Sequence, residues 1–339
     1  MGTYLVVFMG VLVLAVLGTP LARKLGIQLH AMDAPDPSRK IHTVATPRLG
    51  GVAMYISILL ITLLLGGAYN LAQLSGILVG ATLVSFLGLW DDRFTLGAFP
   101  KLIGQLVAVG ILLSTNIRIS VLPHPLLNFG ATVLWMVGVT NAFNLLDNMD
   151  GLSGGVAAIA AAHFALLCAF SGQFLVGTLA VAVMAACVGF LLYNWIPYTI
   201  FMGDSGSLFL GFTLAAIGIK LRFPGNPRFV TWMIPILVLG IPIFDTTLVT
   251  LSRLKRGLNP LTTPGTDHSS HRLHYAGFSR REAVLVLYIG AFLLGLVAIF
   301  VTQATFVEGY LAGGLAFLVG LYGLWRMERR PFWPPPADA

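Results

Sequence analysis

GLSGGVAAIAAAHFALLCAFSGQFLVGTLAVAVMAACVGFLLYNWIPYTIFMG, residues 151–203, contains no Asp, Glu, Lys or Arg. A helix that crosses a bilayer needs about 20 mostly apolar residues, so this stretch has room for two. Its apolar residues run on continuously instead of alternating, which selects helices over a β-barrel. Backbone groups in lipid have no water to bond, so each spanning segment must satisfy them internally. The same pattern extends outward: no acid or base stands between Arg48 and Asp91, from Ala283 to Val307, or from Gly309 to Trp325. Across the 339 residues 57% are hydrophobic and 10% charged, against roughly a quarter charged in soluble domains. Mean hydropathy is +0.88. The fold expected is an all-α polytopic membrane protein with about eleven transmembrane helices. They fall near 3–20, 49–66, 71–89, 102–116, 127–145, 153–171, 173–194, 205–221, 229–251, 283–302 and 307–325. Residues 1–330 form one integral membrane domain and 331–339 a Pro-rich cytoplasmic tail. The first run lacks a basic leader and is followed by Arg23 and Lys24, so it reads as an anchor and not as a cleaved signal.

Lys and Arg mark the cytoplasmic side. Alternate loops, beginning with 21–48, carry 16 of the 20 basic residues, and only Arg118, Lys220, Arg222 and Arg228 fall opposite. The N-terminus is therefore expected outside and the C-terminus inside. Of the 13 acids, 11 share the basic side, Glu308 lies opposite, and Asp245 falls inside a span. A transporter places ionisable groups near the midplane of several helices. Here the polar chemistry collects at one surface, so the active site is expected on the cytoplasmic face. The net charge of +7 is mostly a topology signal, and no soluble domain exists to bind nucleic acid. Cys168 and Cys187 lie in apolar runs and read as small hydrophobes.

Five polar clusters fall on that side. The adjacent Asp91 and Asp92, followed by Lys101 and Gln105, repel one another unless a cation or a base role offsets the cost. Mg²⁺ usually takes one or two carboxylates plus substrate phosphate. A solvated helix cap is the plainer alternative. Asn141, Asn144 and Asp147 share one helix face at i, i+3 and i+6, and Asp150 continues the row before Gly151. Helix-to-helix hydrogen bonds would also explain them. Asn194 precedes Phe201-Met-Gly203-Asp204-Ser205-Gly206-Ser207. Asp204 there can cap a helix whose free N–H groups favour phosphate. The loop Asp267-His268-Ser-Ser-His271-Arg272-Leu-His274 lies between basic flanks and suits phosphate oxygens. Its spacing matches no zinc pattern. Arg39-Lys40-Ile-His42 and Pro47-Arg48-Leu-Gly50-Gly51 complete the set. Together, carboxylates for a metal, bases for phosphate and amides for a sugar point to an anionic, metal-bound substrate.

The order RKxHxxxxPRxGG, DD with a downstream Lys, NxxNLxDxxDG, YN and FMGDSGS, then an inner basic His loop, resembles the polyprenyl-phosphate N-acetylhexosamine-1-phosphate transferases over about residues 33–282. It looks most like the bacterial undecaprenyl-phosphate GlcNAc-1-phosphate transferases of O-antigen, common-antigen and teichoic-acid pathways. The peptidoglycan branch typically has three consecutive histidines, absent from this loop. The resemblance implies a multi-pass cell-membrane enzyme that moves GlcNAc-1-phosphate from UDP-GlcNAc to undecaprenyl phosphate and releases UMP. It implies Mg²⁺, or Mn²⁺ in its place, and a homodimer as found among relatives. It puts Asp204, with the pair Asp91 and Asp92, at the metal, and makes one of that pair a base. Lys101, Lys40 and Arg48 are assigned to the substrate, as are Asn144, Asp147 and Asp150. Asn194 and Phe201 lie near the nucleoside, and His268, His271 and Arg272 face the pyrophosphate. Relatives often have Gly at the position of Asn148. In the mechanism expected, Asp91 takes the residual proton of the lipid phosphate. The alternatives are another UDP-N-acetyl sugar, such as UDP-MurNAc-pentapeptide or UDP-GalNAc, and a transporter or scaffold without chemistry.

Overall fold

The computed structural model describes residues 2–33, 45–65, 71–195, 198–223, 228–263 and 265–329. Lys40 and the Pro-rich tail lie outside them. Among the described residues the chain is almost wholly helical. Helices α1 (Gly2–Gln28), α2 (Gly50–Leu65), α3 (Leu71–Phe94), α4 (Ala98–Ser114), α5 (Pro125–Leu146), α6 (Leu152–Ser171), α7 (Phe174–Asn194) and α8 (Asp204–Lys220) follow the first eight apolar runs. The ninth run, expected as one span, is instead three pieces: α9 (Arg228–Thr231), α10 (Met233–Val238) and α11 (Gly240–Lys255). Pro242 has no N–H to give the Val238 carbonyl, and Gly240 adds backbone freedom beside it, so the helix breaks at Leu239. The short α12 (Ser269–Tyr275) was not expected. Helices α13 (Arg280–Val301) and α14 (Phe306–Arg329) close the chain.

Seven of these helices are long and apolar enough to cross a membrane, and α2 and α4 are shorter apolar helices. The side chains agree. On α1, Val7, Val11, Ala15, Thr19, Ala22 and Gly26 form a buried stripe at helical spacing. Leu5, Met9, Val13, Leu17, Leu21 and Leu25 form a second stripe that is about half exposed or more. An exposed apolar ridge of that length has no place in water and suits lipid. The chain is a multi-pass membrane protein.

Helix α8 forms the centre, buried from Ser205 to Ile219 and packed between α3 and α5. Helices α6 and α7 pack on each other, α1 and α2 cover α7, and α13 covers α6. Cys168 and Cys187 are both fully buried and unbonded to each other, as expected of small hydrophobes. Two close approaches set the functional end. A Cβ on Gly88 would run into the backbone of Asp204 and Ser205, so only glycine lets α3 reach the first turn of α8. Gly203 has φ +73, and a Cβ there would meet the Arg48 carbonyl and the Asp92 carboxylate. Short strands β1 (Met32–Asp33) and β2 (Thr46–Pro47) pair antiparallel. β2 continues into residues that bond the segment before α8: Phe201 N–H donates to the Pro47 carbonyl at 2.8 Å, and Gly51 N–H to that of Met202 at 2.9 Å.

Candidate active site

Helix ends from distant parts of the sequence meet at one end of the bundle around a cavity of about 330 Å³. Of the residues expected from sequence, Arg48, Asp92, Asp147, Asp150, Asn194, Phe201, Asp204 and His271 line it. Asp33, Asn148, Thr266 and Arg280 line it too and were not expected. A larger cavity of about 630 Å³ is mainly apolar, and Arg222 is the one charged residue that lines it among the described residues.

The Gly88 approach brings Asp91 and Asp92 beside Asp204. Lys101, in the first turn of α4, bridges them: its ammonium lies 2.8 Å from Asp204 Oδ2 and also pairs with Asp91. Asp91 Oδ1 further accepts Leu96 N–H at 2.5 Å. With Lys101 and Leu96 on its two oxygens, Asp91 does not line the cavity. Asp92 does, with Oδ2 accepting Ser205 N–H at 3.4 Å and Oδ1 3.8 Å from an Arg48 nitrogen. Of the pair from which the base was expected, Asp92 is the one that lines the cavity. Arg48 is also paired with Asp33.

The row on α5 diverges. Asn141 exchanges hydrogen bonds with Gln105 of α4, the helix-contact reading, and Asn144 donates to Ser207 Oγ at 3.0 Å and bonds the Asp204 carboxylate. Asp147 and Asp150 reach the cavity past the helix end. Burial, reinforced by Asp204, Asp92 and Asp150, raises the Asp147 carboxyl well above the usual range. Burial lifts Asp150 to about 6, and Arg280 works against that rise. Asn194 accepts Gly151 N–H at 2.9 Å and donates to the Ile200 carbonyl at 3.0 Å, tying α7 to both flanking turns. The Phe201 ring stands 4.9 Å from that of Tyr198.

The His loop is held from behind. Arg253 grips Asp267 with two bonds of 3.0 and 2.8 Å, and Arg256 adds a third at 2.5 Å. Burial would raise Asp267, but Arg253 outweighs it and holds the carboxyl down at about 2. Arg272 was expected at the pyrophosphate. Its guanidinium instead turns inward, to the Asp267 and Met327 carbonyls, Ser252 Oγ and Glu328, all within 2.9 Å. His268 also turns away from the cavity, onto Asp245. His271 alone of the predicted trio faces the cavity, and its Nδ1 is buried with no partner among the described residues. Burial and the neighbouring His268 push His271 down to about 4, so it is neutral at pH 7. Asn148 holds this loop to α5 by accepting Ser270 Oγ–H at 2.6 Å.

Among the described residues no three His, Cys, Asp or Glu side chains close a metal site unaided. Asp92 and Asp204 nonetheless offer hard oxygens on one cavity wall, and a cation that completes its shell with phosphate needs no third side chain.

Residues 74–222 match the model of glycosyl transferase family 4. A Bacillus subtilis protein named a probable undecaprenyl-phosphate N-acetylglucosaminyl 1-phosphate transferase is 36% identical over 85% of this chain and 82% of its own. The chain belongs to glycosyl transferase family 4. A Mycolicibacterium smegmatis decaprenyl-phosphate N-acetylglucosaminephosphotransferase is 31% identical over 79% of this chain and 74% of its own. A Yersinia pestis undecaprenyl-phosphate alpha-N-acetylglucosaminyl 1-phosphate transferase is 28% identical over 91% and 88%. Within the family 4 match fall Asp91, Asp92, Asp147, Asp150 and Asp204. Arg48 and the His loop lie outside it, and the fold brings them to the same cavity.

Proposed function

We propose that this chain transfers GlcNAc-1-phosphate from UDP-GlcNAc to undecaprenyl phosphate and releases UMP, at the cytoplasmic face of the cell membrane. The observation that carries the reading is one cavity where the carboxylates of Asp33, Asp92, Asp147, Asp150 and Asp204 meet Arg48 and Arg280. It stands in a chain whose relatives are named for that transfer. The excess of Lys and Arg on that side supports an outer N-terminus, an inner C-terminus and about eleven crossings, with α9 to α11 as one. A homodimer belongs to the same reading, and light scattering of the detergent-solubilised protein reads it.

The prenyl tail lies in lipid with its phosphate at the cavity. An oxygen of that phosphate attacks the β-phosphorus of the UDP-sugar. The bond from the β-phosphorus to the bridging oxygen breaks, and UMP leaves with the electron pair. Asp92 accepts the residual proton of the lipid phosphate. Arg48 and Arg280 hold phosphate oxygens by charge-assisted hydrogen bonds. His271, neutral, offers a hydrogen bond without adding charge. Phe201, backed by Tyr198, presents a ring face to uracil. Carboxylates crowded around a diphosphate site would repel the substrate, so the donor set fits Mg²⁺, or Mn²⁺, held by Asp204 and completed by phosphate oxygens, which leaves Asp92 to the proton. When bound, the ion offsets charge on the diphosphate and the leaving UMP.

The test uses purified protein, undecaprenyl phosphate, Mg²⁺ and a panel of UDP-sugars that includes UDP-GalNAc and UDP-MurNAc-pentapeptide. UMP release with UDP-GlcNAc that EDTA abolishes is the expected result. Release with a different sugar alone would correct the donor, and silence from folded protein with every sugar would overturn the reading.

A further inference from the structure

Asp245 is the one acid that the sequence places inside a span, and the cavity does not use it. It sits in the second turn of α11 with no exposed surface. An ionised carboxylate so placed is costly unless its oxygens are bonded. Both are. Oδ2 lies 2.8 Å from His268 Nδ1. Oδ1 accepts Ser269 N–H at 2.7 Å and Ser269 Oγ–H at 2.6 Å. The same carboxyl therefore grips the last residue before α12 and the first residue within it.

Loop retention alone does not require this. Asp267 is already held by Arg253, and Arg272 by Ser252, Met327 and Glu328. Those grips and the Ser270 bond to Asn148 hold α12 from its second residue on, and Asp245 adds the grip on its first residue and on the His268 ring. A carboxylate accepts only, so against Asp245 the His268 ring carries its hydrogen on Nδ1, which fixes both tautomer and ring plane. His271 follows three residues later, one turn along the same helix, with its ring centroid 5.7 Å from that of His268. A small rotation at Ser269 would carry the His271 ring out of the cavity.

We infer that Asp245 is a positioning residue for the transfer: through His268 and Ser269 it sets the start of α12 so that His271 stands at the substrate. The inference rests on the proposed reaction for its kinetic readout and on loop order for a second readout that needs no turnover. Asp245→Asn preserves shape but turns an NH₂ toward either His268 or Ser269. With UDP-GlcNAc and undecaprenyl phosphate, kcat is expected to fall about 10- to 100-fold, the range seen when the outer partner that orients a metal-bound imidazole is lost. KM is expected to stay within a few-fold. Combined with His271→Gln, the double variant is expected to be no slower than His271→Gln alone, because both act through one ring. Hydrogen–deuterium exchange of the amides of 269–275 is expected to rise in Asp245→Asn while α6 and α7 keep their protection.

A kcat within twofold of wild type would overturn the inference. So would losses that multiply in the double variant, or exchange that rises throughout α6 and α7, since either marks a general structural role. If wild-type protein turns over nothing, the proposed reaction has failed. The exchange of 269–275 then decides the positioning role by itself, and unchanged protection there would end it.

Discussion

Asp204 and Asp245 each belong to a helix that meets the same end of the bundle, yet their carboxylates meet opposite surroundings. Asp204 opens α8, keeps 28% of its side chain exposed and faces a cavity, with Lys101 paired to one of its oxygens. Asp245 has no exposed surface, and Ser269 and His268 take up both of its oxygens. One carboxylate retains room for a new partner, while the other is consumed in holding a loop. In an apolar chain with few charges, a charge is therefore not enough to mark a reacting group. What separates the two is whether any oxygen still faces solvent or substrate.

The largest expected effect falls on the open side. Asp204→Asn should lower kcat about 1000-fold in the UMP-release assay, the scale expected when a charge that acts in the transition state is removed. A loss under tenfold would erase the contrast with Asp245. Next is the buried grip beneath the loop. Asp267→Ala leaves Arg253 unpaired at 3% exposure and should destabilise the loop by about 3–5 kcal/mol, read as a lower melting midpoint in detergent. Arg272→Lys keeps the charge but loses the planar fork that spans Asp267, Ser252 and Met327. Its kcat should fall roughly tenfold through loop order, with KM for the UDP-sugar little changed. A selective rise in KM would return Arg272 to the substrate.

The smallest effect concerns pH. Asp150 titrates at about 6 because burial favours its neutral form. As pH rises through 6 it loses its proton and becomes a pure acceptor, so kcat/KM should carry an acid limb there. Asp150→Asn should remove that limb, and Arg280→Gln should move it upward because the opposing charge is gone. A limb unmoved by both changes would assign it to another group.

The helical spans were legible because lipid leaves continuous apolar runs, and ten of the eleven expected runs are single helices. The exception carried its own signal in Pro235, Gly240 and Pro242, which interrupt the ninth run. The cavity wall was legible wherever a polar residue sits at a helix end, as with Asp92, Asp147 and Asp204. Direction was not. Arg272 and His268 look like phosphate ligands in a basic loop, and only the fold brings up Ser252, Glu328 and Asp245 to claim them. Arg280 was missed although Ser279 and Glu282 form a capping box that starts α13 there and so puts Arg280 in its first turn. Asp33 was missed because its role depends on the β1–β2 pairing, which two-residue strands do not announce.

The burial of both native thiols has a practical consequence. Cys168 and Cys187 are packed among the central helices with no exposed surface, so a fluorophore that reacts with sulfhydryls has little to attack in the folded wild-type protein. A single cysteine introduced at Thr266, on the cavity wall, would then carry the label alone, and the occupancy of the site could be followed optically without first stripping the core of its own sulfur.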